Sequence, residues 1–258
     1  HNTIRYFSKK LESTGVTMKL NTRVEIADLE AAGFDEIVIA TGVLPRTPGI
    51  PGVDHPKVLS YVDVLRGNAQ VGEKVAVIGA GGIGFDVSEF LAEHPREGEQ
   101  PLPEWMKEWG VDGSNSVRGG LKPADIEESP RKVYMLQRKA SRFGKGLNKT
   151  TGWVHRAIVA MKGVETIGGV SYDKVDDAGL HITISRGKEG EEVKETRVLD
   201  VDHVVLCAGQ VSVNKLHQQL EQDSSKTFAL HLVGGAEFAG ELDAKRAIKL
   251  ASELAAAL

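Results

Sequence analysis

The stretch KVAVIGAGGIGFD, Lys74 to Asp86, constrains the fold more than any other. Branched and small apolar residues, Val75 to Ile78, run as a buried strand would and meet Gly79, Gly81 and Gly84 in a GxGxxG pattern. An apparent helix then continues through Ser88 and Leu91 toward His94. Each glycine has a geometric task in such a strand–turn–helix. Gly79 allows the tight turn, Gly81 clears the main chain for a pyrophosphate, and Gly84 lets helix and strand pack closely. Ala80, Gly82 and Ile83 fill the positions between them, where free amides at the helix start would face phosphate charge. The pattern predicts an α/β fold with a Rossmann-like dinucleotide-binding domain.

The choice of dinucleotide depends on the end of the second strand. A carboxylate there would accept hydrogen bonds from a free ribose hydroxyl. Here VYMLQ ends in Arg138 and Lys139, with Arg142 a secondary candidate. Cations at this position attract a 2′-phosphate, which favours NADP(H). The usual interval from the glycines is about 20 residues, and the segment from Pro95 to Pro130 stretches it here. Ordinary solvated basic residues at a strand end would give the same string. Lys145, Lys149 and His155 suit either the cofactor's surroundings or a solvated loop and helix face. Thr150 and Thr151 read as caps for the helix that follows.

The sequence ahead of the motif reads as a helix over Asn2–Thr14, a strand over Val16–Val24 and a firmer strand over Phe34–Gly42. LPRTPGIPGVDHP marks a linker or an ordered surface loop. Residues 95–130, rich in Pro, Gly, Ser and charge and carrying Trp105 and Trp109, form a long insertion that is either functional or disordered. Strand, helix and several short strands follow, with an acidic hairpin tip over Glu189–Glu195. DEIVIATG from Asp35 recurs in form as DHVVLCAG from Asp202, which places Thr41 and Gly42, and again Ala208 and Gly209, at small-residue strand ends. Two related domains threaded together, or simply two buried strands, would give this echo. The tail is a strand, a Gly234–Gly235 turn and a long helix whose buried stripe would be Ala247, Ile248, Leu250, Ala251, Leu254 and Leu258. The expected organisation is three segments, 1–65, 66–210 with the dinucleotide-binding motif, and 211–258.

Composition narrows the function classes. Lys plus Arg total 32 against 36 Asp plus Glu, a formal charge of −4, so no general attraction to nucleic acid or anionic lipid is expected. Cys207 is the single cysteine, which rules out an intrachain disulfide and a redox cysteine pair. No apolar run reaches membrane-spanning length, and the expected location is cytoplasmic. No hydrolytic or metal-ligating constellation stands out, so no catalytic side chain or metal ligand is assigned. The chain begins at His1 inside helical sequence, which suggests a piece of a longer protein. Glu237, beyond Gly234 and Gly235, could hold flavin hydroxyls, or could simply open the next helix with favourable negative charge.

Taken together, HPKVLSYVDVLRG, VAVIGAGGIGFD, MLQRKAS, NKTTGWVHR, GGVSYDKVDDAGLHI and GGAEFAGELDAKRAI resemble the C-terminal region of bacterial NADPH-dependent 2,4-dienoyl-CoA reductases, as does EWGVD in the insertion. The resemblance implies an NADPH-binding domain inserted into an incomplete FAD-binding domain of the pyridine nucleotide-disulphide reductase type. It implies a missing first FAD glycine motif, and a missing N-terminal TIM barrel partner carrying FMN and a 4Fe-4S cluster. NADPH would contact Gly79, Gly81, Gly84, Arg138 and Lys139; FAD would lie near Thr41, Gly42, Gly235 and Glu237 and the helix beginning near Leu242. Glu237 departs from the aspartate usual in flavoprotein relatives. The implied role is an electron-input module passing hydride to FAD in an enzyme reducing 2,4-dienoyl-CoA during fatty-acid oxidation. The same architecture serves trimethylamine dehydrogenase-like proteins and glutamate synthase small subunits, and an isolated nucleotide-binding module without turnover is a further reading.

Overall fold

The computed structural model describes residues 2–96, 98–187, 193–222, 226–240 and 243–258. Two compact units divide the chain: Leu44–Val211, and His1–Val43 together with Ser212–Leu258. The discontinuous unit begins with helix α1 (Asn2–Ser13), helix α2 (Ile26–Ala32) and strand β1 (Glu36–Ile39). Asp28 accepts a hydrogen bond from the Glu25 amide at the start of α2, 2.9 Å, and Gly33 ends the helix in the left-handed region. The strand expected over Val16–Val24 is absent. Those residues form an irregular, exposed segment with Val16, Met18, Leu20 and Val24 facing solvent. Alternation alone did not make a strand there, because a strand also needs a hydrogen-bonding neighbour. Strand β2 (Val43–Pro45) leads out of this unit.

The continuous unit contains β3 (Val58–Ser60), helix α3 (Tyr61–Arg66), β4 (Lys74–Ile78), helix α4 (Gly82–Ala92), helix α5 (Leu102–Glu108), β5 (Lys132–Gln137), helix α6 (Gly152–Met161), β6 (Glu165–Gly168), β7 (Val170–Asp176), β8 (Gly179–Arg186), β9 (Val193–Leu199) and β10 (His203–Leu206). Five of these strands form a parallel sheet in the order β3-β10-β4-β5-β6, while β7, β8 and β9 make an antiparallel meander. Alternate residues of β4 and β5 serve opposite layers. Val75, Val77, Val133 and Met135 pack with Phe85 and Leu91 of α4 and Val159 of α6. Ala76, Ile78, Tyr134 and Leu136 pack instead with Leu180, Ile182 and Leu199 of the meander. Burial of both faces is why these strands read as unbroken apolar runs.

The segment 95–130 is ordered where described. It carries α5, a single 3₁₀ turn at Arg118–Gly120 and a bridge between Val111 and Leu121. Lys162 at the end of α6 meets Glu108 of α5 at 2.6 Å, with both side chains largely buried, and Gln100 donates to the same carboxylate at 2.9 Å. These bonds hold the Glu108 carboxyl below its ordinary range despite its burial. The expected acidic tip at Glu189–Glu195 resolves into the start of β9 from Val193, and its residues 189–192 lie outside the described residues.

The chain returns through β11 (Gln210–Ser212) to helix α7 (Lys215–Glu221), β12 (Ala229–Leu232) and helix α8 (Ala244–Ala257). In the discontinuous unit β1 and β12 pair in parallel, Ile39 opposite Leu232, over a small core of Ile37, Ile39, Leu220, Phe228 and Ala236. The expected buried stripe of α8 is only partly realised. Ala247, Leu250 and Leu254 are half-buried, whereas Ile248 and Leu258 are exposed.

Candidate functional site

The glycines after β4 separate into two kinds. Gly79 has φ +117°, and a Cβ there would stand 2.2 Å from the Cys207 carbonyl oxygen. Its amide donates to the Leu136 carbonyl at 2.9 Å, tying the turn to the neighbouring strand. A Cβ on Gly84 would approach the Gly79 carbonyl oxygen to 1.9 Å. Packing within the chain therefore demands both residues. Gly81 and Gly82 are different: a Cβ on either meets nothing within 4 Å. Gly81 is the N-cap of α4 and supplies no side-chain acceptor, so among the described residues the first-turn amides have no side-chain cap. Ala80 and Ile83 are half-buried against the helix-side core.

Strand pairing restores what sequence distance obscured. β5 lies beside β4 with Leu136 opposite Ile78, so Arg138 and Lys139 emerge at the same sheet edge as Gly79. Both side chains are exposed. The Lys139 carbonyl accepts a hydrogen bond from the Gly169 amide, 3.3 Å, which fixes the backbone beneath the cation. Burial pushes the nearby Tyr172 phenol up to about 12, against the opposing pull of Arg138. On the other side of β4, Cys207 follows β10 as a free, buried thiol, also pushed up to about 12 by burial. Such a thiol is a packing group and not a nucleophile.

Ala208 and Gly209 are held from within. Arg46 Nε donates to the Ala208 carbonyl at 2.8 Å, and the Arg46 amide donates to the Gly209 carbonyl at 3.0 Å. Arg46 was not singled out in the sequence, where it sits in a proline-rich run. A second contact missed there joins α4 to α6: His155 Nδ1 and Glu89 Oε1 are 2.8 Å apart. Burial raises the Glu89 carboxyl above its ordinary range, and His155 opposes the shift.

The discontinuous unit has a cleft of about 540 Å³ lined by Ala40, Gly42, Gly234, Gly235, Asp243 and Ala247, among others. Because β1 and β12 are parallel, their two glycine-bearing ends reach the same edge. Gly42 and Gly234 both have positive φ, +75° and +64°. Thr41 is turned away to donate its hydroxyl to the Val213 carbonyl, and the Gly42 carbonyl accepts the Val213 amide at 3.0 Å. Glu237 is exposed and does not line the cleft. The carboxylate found there belongs to Asp243, whose Oδ1 accepts the Arg246 amide at 2.7 Å and caps α8. Leu242 lies outside the described residues. An Asp one residue before an Ala-rich helix was the available signal for this cap.

No group of three or more His, Cys, Asp or Glu side chains suited to a metal ion gathers among the described residues. No described helix is long and apolar enough to cross a membrane.

Comparison with known proteins gives the chain its family. The pyridine nucleotide-disulphide oxidoreductase profile matches residues 2–229. A metal reductase of Desulforamulus reducens is 23% identical over 235 residues, 90% of this chain and 32% of that protein. A cinnamate reductase of Clostridium sporogenes is 37% identical over 94 residues, 36% of this chain and 14% of that protein. Among solved structures, a 2-naphthoyl-CoA reductase in complex with 2-naphthoyl-CoA superposes with a TM-score of 0.69 at 22% identity, covering 96% of this chain and 30% of that one. The chain thus spans about a third of the length of the metal reductase and of the naphthoyl-CoA reductase. These matches correct the resemblance drawn from the motifs. The family is the broader one, its profile runs through both units, and nothing in it supports the narrower reading of a truncated dienoyl-CoA reductase that has lost a barrel. From residue 2 to residue 229 the α/β fold, the glycine turn and the flanking parallel strands are those of an oxidoreductase, and the chain belongs to the pyridine nucleotide-disulphide oxidoreductase family.

Proposed function

We propose that the continuous unit takes NADPH, that the discontinuous unit takes a flavin dinucleotide, and that the chain is the electron-input part of a larger oxidoreductase. The observation that carries this reading is the open space at Gly81 and Gly82, at an uncapped helix start one strand from Arg138 and Lys139. A glycine that packing does not require, beside free amides, fits a diphosphate that must approach the main chain. Arg138 and Lys139 suit the additional 2′-phosphate, since guanidinium and ammonium groups form charge-assisted bonds with phosphate oxygen. In the other unit, Gly42 faces open space and lines one cleft with Gly234, Gly235 and Asp243, and the Asp243 carboxylate is the one placed there to accept a flavin-chain hydroxyl.

When bound, NADPH would supply a hydride donor and the flavin a hydride acceptor. The chain's own residues contribute position rather than acid–base chemistry: amides at α4 orient a diphosphate, and Arg138 and Lys139 fix the adenosine end. Calorimetry on the full chain tests this. NADPH should bind at least tenfold more tightly than NADH, a difference of about 1.4 kcal/mol, and equal affinities would remove the role given to Arg138 and Lys139. Gly81→Ala should leave thermal stability almost unchanged, within about 0.5 kcal/mol, while weakening both dinucleotides more than tenfold. Unaltered binding by that variant would mean the diphosphate lies elsewhere. Absorbance of the purified chain near 450 nm (the flavin band, roughly placed) checks the second cofactor directly.

A further inference from the structure

Every Asp, Glu, Lys or Arg from Arg131 to Lys162 is basic. The cations at the two ends of this run are engaged. Arg131 donates to the Gly72 and Leu91 carbonyls, Arg156 to the Gly144 carbonyl, and Lys162 pairs with Glu108. Those in the middle, Arg138, Lys139, Arg142, Lys145 and Lys149, are exposed and form no ion pair among the described residues. Elsewhere this chain pairs many of its cations, as in Lys74–Asp200, Lys107–Asp125, Lys174–Asp176 and Arg197–Glu165. Among the described residues this string of like charges has no counter-charge, which is mildly destabilising and calls for a reason outside the fold.

The segment that bears them is built, not loose. Phe143 and Leu147 pack into the helix-side core. A Cβ on Gly144 would stand 3.0 Å from the ring of Phe85 in α4, so the segment lies directly on the phosphate-facing helix. The Asn148 carboxamide accepts from the Thr150 amide at 2.9 Å and hydroxyl at 2.7 Å, and the Asn148 carbonyl accepts the Gly152 amide at 2.7 Å. Two cations are enough to grip one 2′-phosphate. The remaining three sit on a fixed backbone beside the same helix, with no ion-pair partner among the described residues.

We propose that Lys145 and Lys149, with Arg142, form an electrostatic capture edge that raises the association rate of the tetra-anionic NADPH without contributing to its bound-state grip. This rests on the assignment of NADPH to α4 and Arg138/Lys139 made above. Fixed cations flanking a site increase the local concentration of an oppositely charged ligand and speed encounter, an effect that salt removes. NADPH carries about four negative charges against about two for NADH, because the extra phosphate adds nearly two. The edge therefore favours NADPH kinetically, in addition to any equilibrium preference from Arg138 and Lys139.

Stopped-flow fluorescence on the full chain tests this with Lys145→Gln/Lys149→Gln and the charge-keeping Lys145→Arg/Lys149→Arg. Salt would be varied from about 10 mM to about 150 mM, over which the screening length falls from about 30 Å to about 8 Å. The Gln pair should slow NADPH association about three- to tenfold at low salt, with a smaller loss for NADH. Dissociation should be unchanged, the salt dependence flatter, and the Arg pair should restore the wild-type rate. An unchanged association rate, or a loss confined to dissociation, would overturn the capture edge while leaving the NADPH assignment intact. If the wild-type chain binds NADPH and NADH equally at equilibrium, the assignment itself falls and the capture edge falls with it.

Discussion

Both units run parallel strands into glycine, but bury those strands to very different depths. In the continuous unit, β4 is covered by α4 and α6 on one face and by the meander on the other, and its Val75, Ala76 and Val77 are fully buried. In the discontinuous unit, β1 alternates buried and exposed residues, and α1 and α8 bury no residue fully. The glycine turn of one unit rests on a strand packed on both faces. The cleft of the other rests on two strands and a capped helix. Stability and binding should therefore be separable in different ways in the two units.

The largest expected difference lies in side-chain truncation. Leu136 is fully buried between sheet and meander, so Leu136→Ala should cost about 2–5 kcal/mol through lost burial and a residual cavity. Ile248, at 64% exposure on α8, should lose less than about 0.5 kcal/mol on the same change. Urea unfolding of both variants measures this. A costly Ile248→Ala would show that this side chain, which lines the cleft, is covered in solution, and would erase the contrast.

Glycine substitution sharpens the comparison at smaller magnitude. Gly79 and Gly42 both have positive φ and both end a parallel strand. Gly42→Ala meets open space, so it should carry only the backbone penalty, about 1–2 kcal/mol. Gly79→Ala adds a collision with the Cys207 carbonyl and should exceed its counterpart by about 1–3 kcal/mol, the range for overpacking. Equal thermal shifts would mean the β10 end yields as readily as open solvent.

What could be read from the sequence follows the same division. Where a strand is buried on both faces and enters glycines with assigned tasks, VAVIGAGGIG states its own fold, and β4, α4 and their turn lie where expected. Arg138 and Lys139 were marked as a strand end, but only the pairing of Leu136 with Ile78 brings them beside Gly79 across the insertion. Val16–Val24 alternates as a strand should and forms none, because partner strands are not encoded locally. Glu237 and Asp243 both follow Gly234 and Gly235 in the sequence, and spacing alone does not show that it is Asp243 that lines the cleft. Arg46, Glu89 and His155 act across more than sixty residues of sequence, a range at which periodicity carries no information.

The smallest effect is a pH dependence confined to the continuous unit. His203 begins β10, and its Nδ1 accepts a hydrogen bond from the Gly72 amide at 3.0 Å, which requires that nitrogen to be unprotonated. Burial lowers its pKa from 6.5, and the opposing pull of Asp202 does not offset it. A folded-state pKa depressed below the unfolded value means the unfolded chain takes up the proton first. The stabilisation is therefore complete above pH 6.5 and is lost as pH falls through the folded-state value. Urea midpoints between pH 7.5 and pH 5 should decline for the wild type, and His203→Gln, whose carboxamide oxygen can still accept from Gly72, should flatten that part of the decline. A decline of the same size in the variant would assign the acid sensitivity to groups other than His203; Asp200 and Asp202 are not among them, because their carboxyl groups are held below 3.8 and stay ionised across this range.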